Sequence, residues 1–193
     1  MEKGGLVAEL NKNKVSQETK ICWADEMRIG LMSQVRKIWC SIGTKVVQKI
    51  QISYSYSYLY LAVDGLAGTL HWQWGENMKT ETAKETVQSW SQEGIGAIIW
   101  DGASSHRSKE MDNMTPALIC QPPYAPELNP AERVFEAIRQ EVEGEIYKTI
   151  DAKQKAVEVF LTQLSKSPEK IQSLAGWSWI QEAIKKLPVC DTC

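Results

Sequence analysis

Three acids, far apart in the sequence, stand in local settings where carboxylates do chemistry: Asp25 in ICWADEMRIGL, Asp101 closing GIGAIIWD, and Glu132 in PPYAPELNPAERVFEAIR. Each is expected at the edge of a secondary-structure element, which points to one shared metal site. Magnesium takes oxygen ligands and keeps several waters, so one or two carboxylates plus substrate phosphate oxygens complete its shell. Two such ions about 3.5–4 Å apart can activate a water or hydroxyl on one side and stabilise a leaving oxygen on the other. Both roles ask for acids rather than histidines.

Neighbouring acids compete for the same roles. Glu26 follows Asp25, but adjacent strand side chains point to opposite faces, so only one of the two can face the site. Asp64 precedes Gly65 and reads as a turn former. Glu136 lies one helical turn beyond Glu132 and could approach the same metals.

The elements around these acids follow from residue patterning. Residues 5–13 suit a short amphipathic helix, and KICWAD has the apolar character of a buried strand with Asp25 at its exit. Val46 to Ile52 is spaced as a strand. Ser53 to Leu61 alternates, with Tyr54, Tyr56, Tyr58 and Tyr60 on one face and Ser53, Ser55, Ser57, Leu59 and Leu61 on the other. Such a tyrosine stripe could stack nucleic-acid bases, although sheet packing is the commoner use. Asp64, Gly65 and Gly68 then supply turn chemistry for a β-hairpin.

A helix is expected from Thr80 towards Glu93, with Ala83, Val87 and Trp90 as its apolar stripe and Gly94 and Gly96 ending it. IGAIIWD is a short continuous apolar run, the mark of a strand buried on both faces, and it delivers Asp101 at its C-terminal end, where open α/β sheets place ligands. Residues 117–121 form another strand. Pro122, Pro123 and Pro126 impose an extended loop, and Asn129 caps a helix whose first turn holds Pro130. That helix buries Ala131, Val134, Phe135, Ile138 and Val142, leaving Glu132, Glu136 and Arg139 near one another on a second face. Helices over 152–165 and 168–186 follow, with Trp177 and Trp179 packing the last one down. The fold class is therefore α/β, with a mixed central sheet flanked by helices and a helical C-terminal tail.

Composition sets the outer limits. The 193 residues are 43% hydrophobic, enough for one domain with a real core. A net charge of -2 gives no support to a strongly basic nucleic-acid binder. Residues 1–50 carry nine Lys and Arg against five Asp and Glu, a balance of +4 that leaves -6 elsewhere, and ordinary solvated surface accounts for it. Five cysteines do not make a disulfide framework. Cys22, Cys40 and Cys120 read as buried thiols in a reducing compartment, and the Cys190/Cys193 pair lacks the further ligands of a zinc site. No stretch approaches the roughly 18 apolar residues of a membrane span, and MEKGG lacks a signal-peptide core. A cytoplasmic protein with no membrane partner is expected.

The blocks WADEMRIGL, LYLAVDGLAGTLHWQW, IIWDGASSHRSKE and LICQPPYAPELNPAERVFEAIR, in this order, resemble the catalytic domain of DDE transposases of the mariner-like insertion-sequence superfamily. The resemblance covers roughly residues 20–145, and PPYAPELNPAE, leading into the third acid, is its most specific piece. It implies a ribonuclease-H-like fold and DNA cleavage and strand transfer with two Mg²⁺ or Mn²⁺ ions. It makes Asp25, Asp101 and Glu132 the catalytic, metal-holding residues, matches His106 to a histidine that contacts substrate phosphate or caps its loop, and leaves Arg133 and Arg139 as candidate DNA contacts. Implied partners are transposon-end and target DNA, with a homodimer or association with a full-length transposase.

Two departures qualify the match. Thirty residues separate Asp101 from Glu132, somewhat fewer than is usual in the family. Residues 1–19 form only a short extension before the catalytic part, and 146–193 a helical one, so the helix-turn-helix DNA-binding domain of family members is expected to be absent. A truncated, non-catalytic remnant acting through dimerisation or inhibition, or a general metal-dependent nuclease of the same fold, are the alternative readings.

Overall fold

The computed structural model describes residues 5–33, 39–103, 111, 114–122 and 125–189. Its centre is a five-stranded sheet built from β1 (Ile21–Gly30), β2 (Tyr56–Asp64), β3 (Thr69–Gly75), β4 (Ala97–Trp100) and β5 (Ala117–Cys120), in the order β3-β2-β1-β4-β5. β1 pairs antiparallel with β2 and β2 with β3, whereas β1 with β4 and β4 with β5 are parallel. The mixed sheet expected from a hairpin followed by a β-α-β crossover is thus present.

Period-two alternation divides the apolar residues between two layers. Trp23, Leu59, Leu61, Val63 and Ile99 face a core shared with α1 (Gly5–Lys12), α3 (Ala131–Val142), α4 (Ile150–Ser165), α5 (Pro168–Ala175) and α6 (Ser178–Ile184). Cys22, Ala24, Tyr60, Ile98 and Trp100 face the other way, against Ala83, Val87 and Trp90 of α2 (Thr80–Gln92). β4 is buried along its whole length, as a central strand covered on both faces must be.

The hairpin between β2 and β3 is shaped by Asp64, whose Oδ1 accepts the backbone N–H groups of Leu66 and Ala67 at 2.9 Å each. Gly68 has φ +70, and a Cβ there would sit 2.5 Å from the Pro168 carbonyl oxygen. A side chain on Gly65 would lie 2.2 Å from the carbonyl oxygen of Ala175. The turn therefore needs both glycines to let α5 pack directly on its backbone.

Several sequence expectations are corrected. Val46 to Ile52 is not a strand: β2 begins at Tyr56, and Val46, Val47, Ile50 and Ile52 are exposed. Strand-like spacing supplied a β pattern there, but the β1–β2 ladder ends at Gly30 opposite Tyr56, and no ladder continues it among the described residues. The tyrosine stripe is split for the same reason, with Tyr60 in the core and Tyr54 and Tyr56 exposed. The last long helix breaks into α5 and α6 at Gly176, where a Cβ would meet the carbonyl oxygens of Gln172 and Gly65, both at 2.6 Å. Trp179 beyond the break packs edge-on to Trp23, ring centroids 6.3 Å apart. Cys22 is buried as expected, but Cys40 is exposed and Cys120 only partly covered. Cys190 and Cys193 lie outside the described residues.

Candidate active site

Asp25 does not sit at a strand exit. β1 continues five residues past it to Gly30, because its antiparallel ladder with β2 carries on after the parallel ladder with β4 has stopped. The parallel register pairs Trp23 with Ile99, and Asp25 and Asp101 each follow by two residues. Both acids are thus in step with a pair whose side chains join the α3-side core. Glu26 goes to the opposite face, where its Oε2 accepts the indole N–H of Trp100 at 3.2 Å. Of the two adjacent acids, Asp25 lines the cleft with Asp101 and Glu132, and Glu26 does not.

The third acid arrives from α3. The chain leaves β5, makes a 3-10 turn over Pro126–Leu128 and enters the helix at Asn129 and Pro130. Gln121, 5% exposed, holds that turn by donating from Nε2 to the Leu128 carbonyl at 3.1 Å. Asn129 caps the helix, its Oδ1 accepting the Ala131 N–H at 3.1 Å, and Glu132 falls in the first turn. The same asparagine donates from Nδ2 to the Ala24 carbonyl at 3.0 Å and to Asp25 Oδ2 at 3.2 Å.

Asp25, Asp101 and Glu132 line one open cleft of about 530 Å³, together with Gly102, Gln121, Pro122 and Asn129. Glu136 is not among its walls. It lies in an adjoining groove of about 950 Å³, paired with Arg133 at 3.1 Å, and that groove shares Pro126, Asn129 and Glu132 with the cleft. Arg139 reaches back two turns to Glu132 at 3.7 Å, and Glu132, Glu136 and Arg139 line the same groove, as expected, within two ion pairs. His106 lies outside the described residues.

The Asp25 carboxyl is perturbed by its surroundings. Burial pushes the Asp25 carboxyl up to about 7; the Glu26 N–H, donating to Oδ1 at 2.8 Å, opposes that, while the charges of Glu26, Glu132 and Asp101 add to it. A half-buried carboxylate facing two further carboxylates is the setting a bound cation relieves. Among the described residues, no three His, Cys, Asp or Glu side chains close into a ready-made metal cage. An open site with three carboxylates nevertheless suits a hard cation that completes its shell with water and phosphate oxygens.

A family model described as DDE superfamily endonuclease matches residues 20–154, a span that contains all three acids. The chain belongs to this family. No curated protein matches the sequence of this DDE endonuclease. Among solved structures it is similar to the Mos1 transposase paired-end complex with left transposon end, at 12% identity and a TM-score of 0.64, covering 93% of this chain and 58% of that one. It is also similar to the Mos1 mariner paired-end complexes with Mn (12% identity, TM-score 0.60, 95% and 60% covered) and with Mg (13% identity, TM-score 0.58, 96% and 60% covered). These likenesses establish the ribonuclease-H-like fold of the DDE endonuclease, which spans less than two thirds of each Mos1 chain.

Two features escaped the sequence reading. Asn129 was legible as a helix cap but not as a tie to Asp25, although a cap uses only the amide oxygen and leaves a buried NH₂ needing acceptors. Gln121 carried no signal beyond its place at the end of a strand.

Proposed function

We propose that this DDE endonuclease is the catalytic domain of a transposase, cleaving DNA strands and joining a 3′-hydroxyl to target DNA. The observation that carries the reading is the convergence of Asp25, Asp101 and Glu132, from two parallel strands and a helix, on one cleft. Family membership supplies the endonuclease class, and the similar Mos1 structures hold a transposon end, Mn or Mg. DNA, two Mg²⁺ or Mn²⁺ ions, a homodimeric assembly and a cytoplasmic site of action belong to the same proposal. No helix among the described residues is long and apolar enough to cross a membrane.

Asp25, Asp101 and Glu132 would hold the metals. Bound there, divalent ions would make a water or hydroxyl nucleophilic and stabilise the leaving oxygen. The protein's part is positioning. β1 and the end of β4 bring two carboxylates to the cleft, and the Asn129 cap begins the helix whose first turn brings Glu132 to it. Three acids alone would repel a phosphodiester, so the cleft accepts DNA only with their charge balanced. Its openness and its continuity with the neighbouring groove leave room for a strand to pass. Arg133 and Arg139, now paired with glutamates, are within that groove to meet phosphates.

The test is to incubate the chain with duplexes carrying matched inverted ends and Mn²⁺. The proposal expects metal-dependent nicking and a joined product, both lost in Asp101→Asn. Nicking without joining would reduce the function to that of a general nuclease, and no nicking under any divalent condition would defeat the active-enzyme reading.

A further inference from the structure

Asn129 is 2% exposed, yet none of its amide atoms lacks a partner. Its orientation is fixed by chemistry. The Ala131 N–H can only donate, so the atom facing it is Oδ1; the Ala24 carbonyl can only accept, so the atom facing it is Nδ2. The second hydrogen of Nδ2 is then committed to Asp25 Oδ2. One side chain therefore joins the helix start that carries Glu132 to the strand that carries Asp25. Asp25 Oδ1 is held separately by the Glu26 N–H, so the two oxygens have fixed and different donors.

We propose that Asn129 is a positioning residue for the acidic site: its amide sets the rotation of the Asp25 carboxylate and locks β1 and α3 at the separation that lets Asp25 and Glu132 share a ligand. A helix cap alone would not need it. Serine or threonine caps about as well through one oxygen, and neither reaches two further acceptors across the gap to β1. Outer partners of metal-holding carboxylates typically set affinity by about 10- to 100-fold. The inference rests on the metal-site reading above, and its test separates the two.

The experiment is Mn²⁺ binding to the full chain, followed by electron paramagnetic resonance of free Mn²⁺, for the native protein, Asn129→Ser and Thr149→Ala. Asn129→Ser keeps a capping oxygen and removes both donated bonds. Thr149→Ala removes the cap of α4, where Thr149 accepts the Ala152 N–H at 3.2 Å, and serves as a control for ordinary loss of a cap. The expected result is Mn²⁺ affinity about tenfold or more weaker in Asn129→Ser and unchanged in Thr149→Ala. Equal affinity in Asn129→Ser and the native chain would overturn the inference while leaving the metal site standing. Absence of Mn²⁺ binding by the native chain would overturn the metal site and, with it, the role given to Asn129. Asn129→Thr, which fills more of the vacated space, replaces the serine variant if that one does not fold; failure of both to fold would show Asn129 to be a purely structural bridge and overturn the proposal.

Discussion

Asp25 and Asp101 each follow by two residues the Trp23–Ile99 pair, the last that joins the parallel strands β1 and β4, and both line one cleft. The relationship matters because Asp101 is the first residue beyond β4, so the strand pair itself brings the two acids near each other. β1 and β4 are central strands with buried flanks, so packed sheet leads directly into the backbone that carries both carboxylates.

One consequence is a pH-dependent cost of folding. Asp25 is held near 7 against an ordinary value of 3.8, so between those values the folded chain keeps a proton that the unfolded chain has released. Stability from this group must fall as pH rises through that window, with the full cost present above it. In metal-free buffer the stability of Asp25→Asn relative to the native protein is predicted to rise by about 3–4 kcal/mol between pH 4 and pH 8. Urea unfolding at several pH values measures it, and a difference that stays flat would contradict the burial account.

Arg139 gives a second prediction. Its guanidinium, 3.7 Å from Glu132, competes with any cation for that carboxylate. Arg139→Gln is expected to strengthen Mn²⁺ binding about two- to fivefold, the scale of a partly exposed ion pair, and to weaken DNA binding. Calorimetric titration reads the first effect. Weaker Mn²⁺ binding in the variant would mean that Arg139 holds Glu132 in place rather than competing for it.

Much of the fold was legible because it rests on local signals. The continuous apolar run before Asp101 specified a buried strand, Asp64 with its glycines specified a turn, and Asn129-Pro130 specified a helix start. The errors came where tertiary context decides. Val46 to Ile52 has the spacing of a strand but no partner ladder among the described residues, and at the break at Gly176 the chain passes close to the carbonyl oxygen of Gly65, more than a hundred residues away. For the site, alternation allowed only one of Asp25 and Glu26 to face the cleft and the family resemblance pointed to Asp25, whereas the tie between Asn129 and Asp25 crosses from helix to sheet and leaves no trace in spacing.

The close approach of the hairpin turn to α5 predicts a stability effect remote from the acids. A methyl group on Gly65 would meet backbone atoms of Ala175 at 2.2 and 2.4 Å, and backbone cannot rotate away as a side chain would. Gly65→Ala should cost about 1–3 kcal/mol with Mn²⁺ affinity preserved. Thermal unfolding provides the check, and an unchanged midpoint would show that α5 is not seated on the turn.

Affinity for DNA should be low in the chain alone. With a net charge of -2, few phosphates can be neutralised, so duplex binding at physiological salt is expected in the range of about 10⁻⁴–10⁻⁶ M with little sequence preference. Fluorescence anisotropy across a salt series tests this. Nanomolar binding that discriminates between duplex sequences would require a recognition surface beyond the groove beside α3.

The most direct test of the central claim is Mn²⁺ titration of the native chain beside Asp25→Asn, Asp101→Asn and Glu132→Gln, each verified as folded. One shared site predicts that every single substitution weakens binding by at least about tenfold. A variant of any of the three acids that binds Mn²⁺ as tightly as the native chain would contradict it.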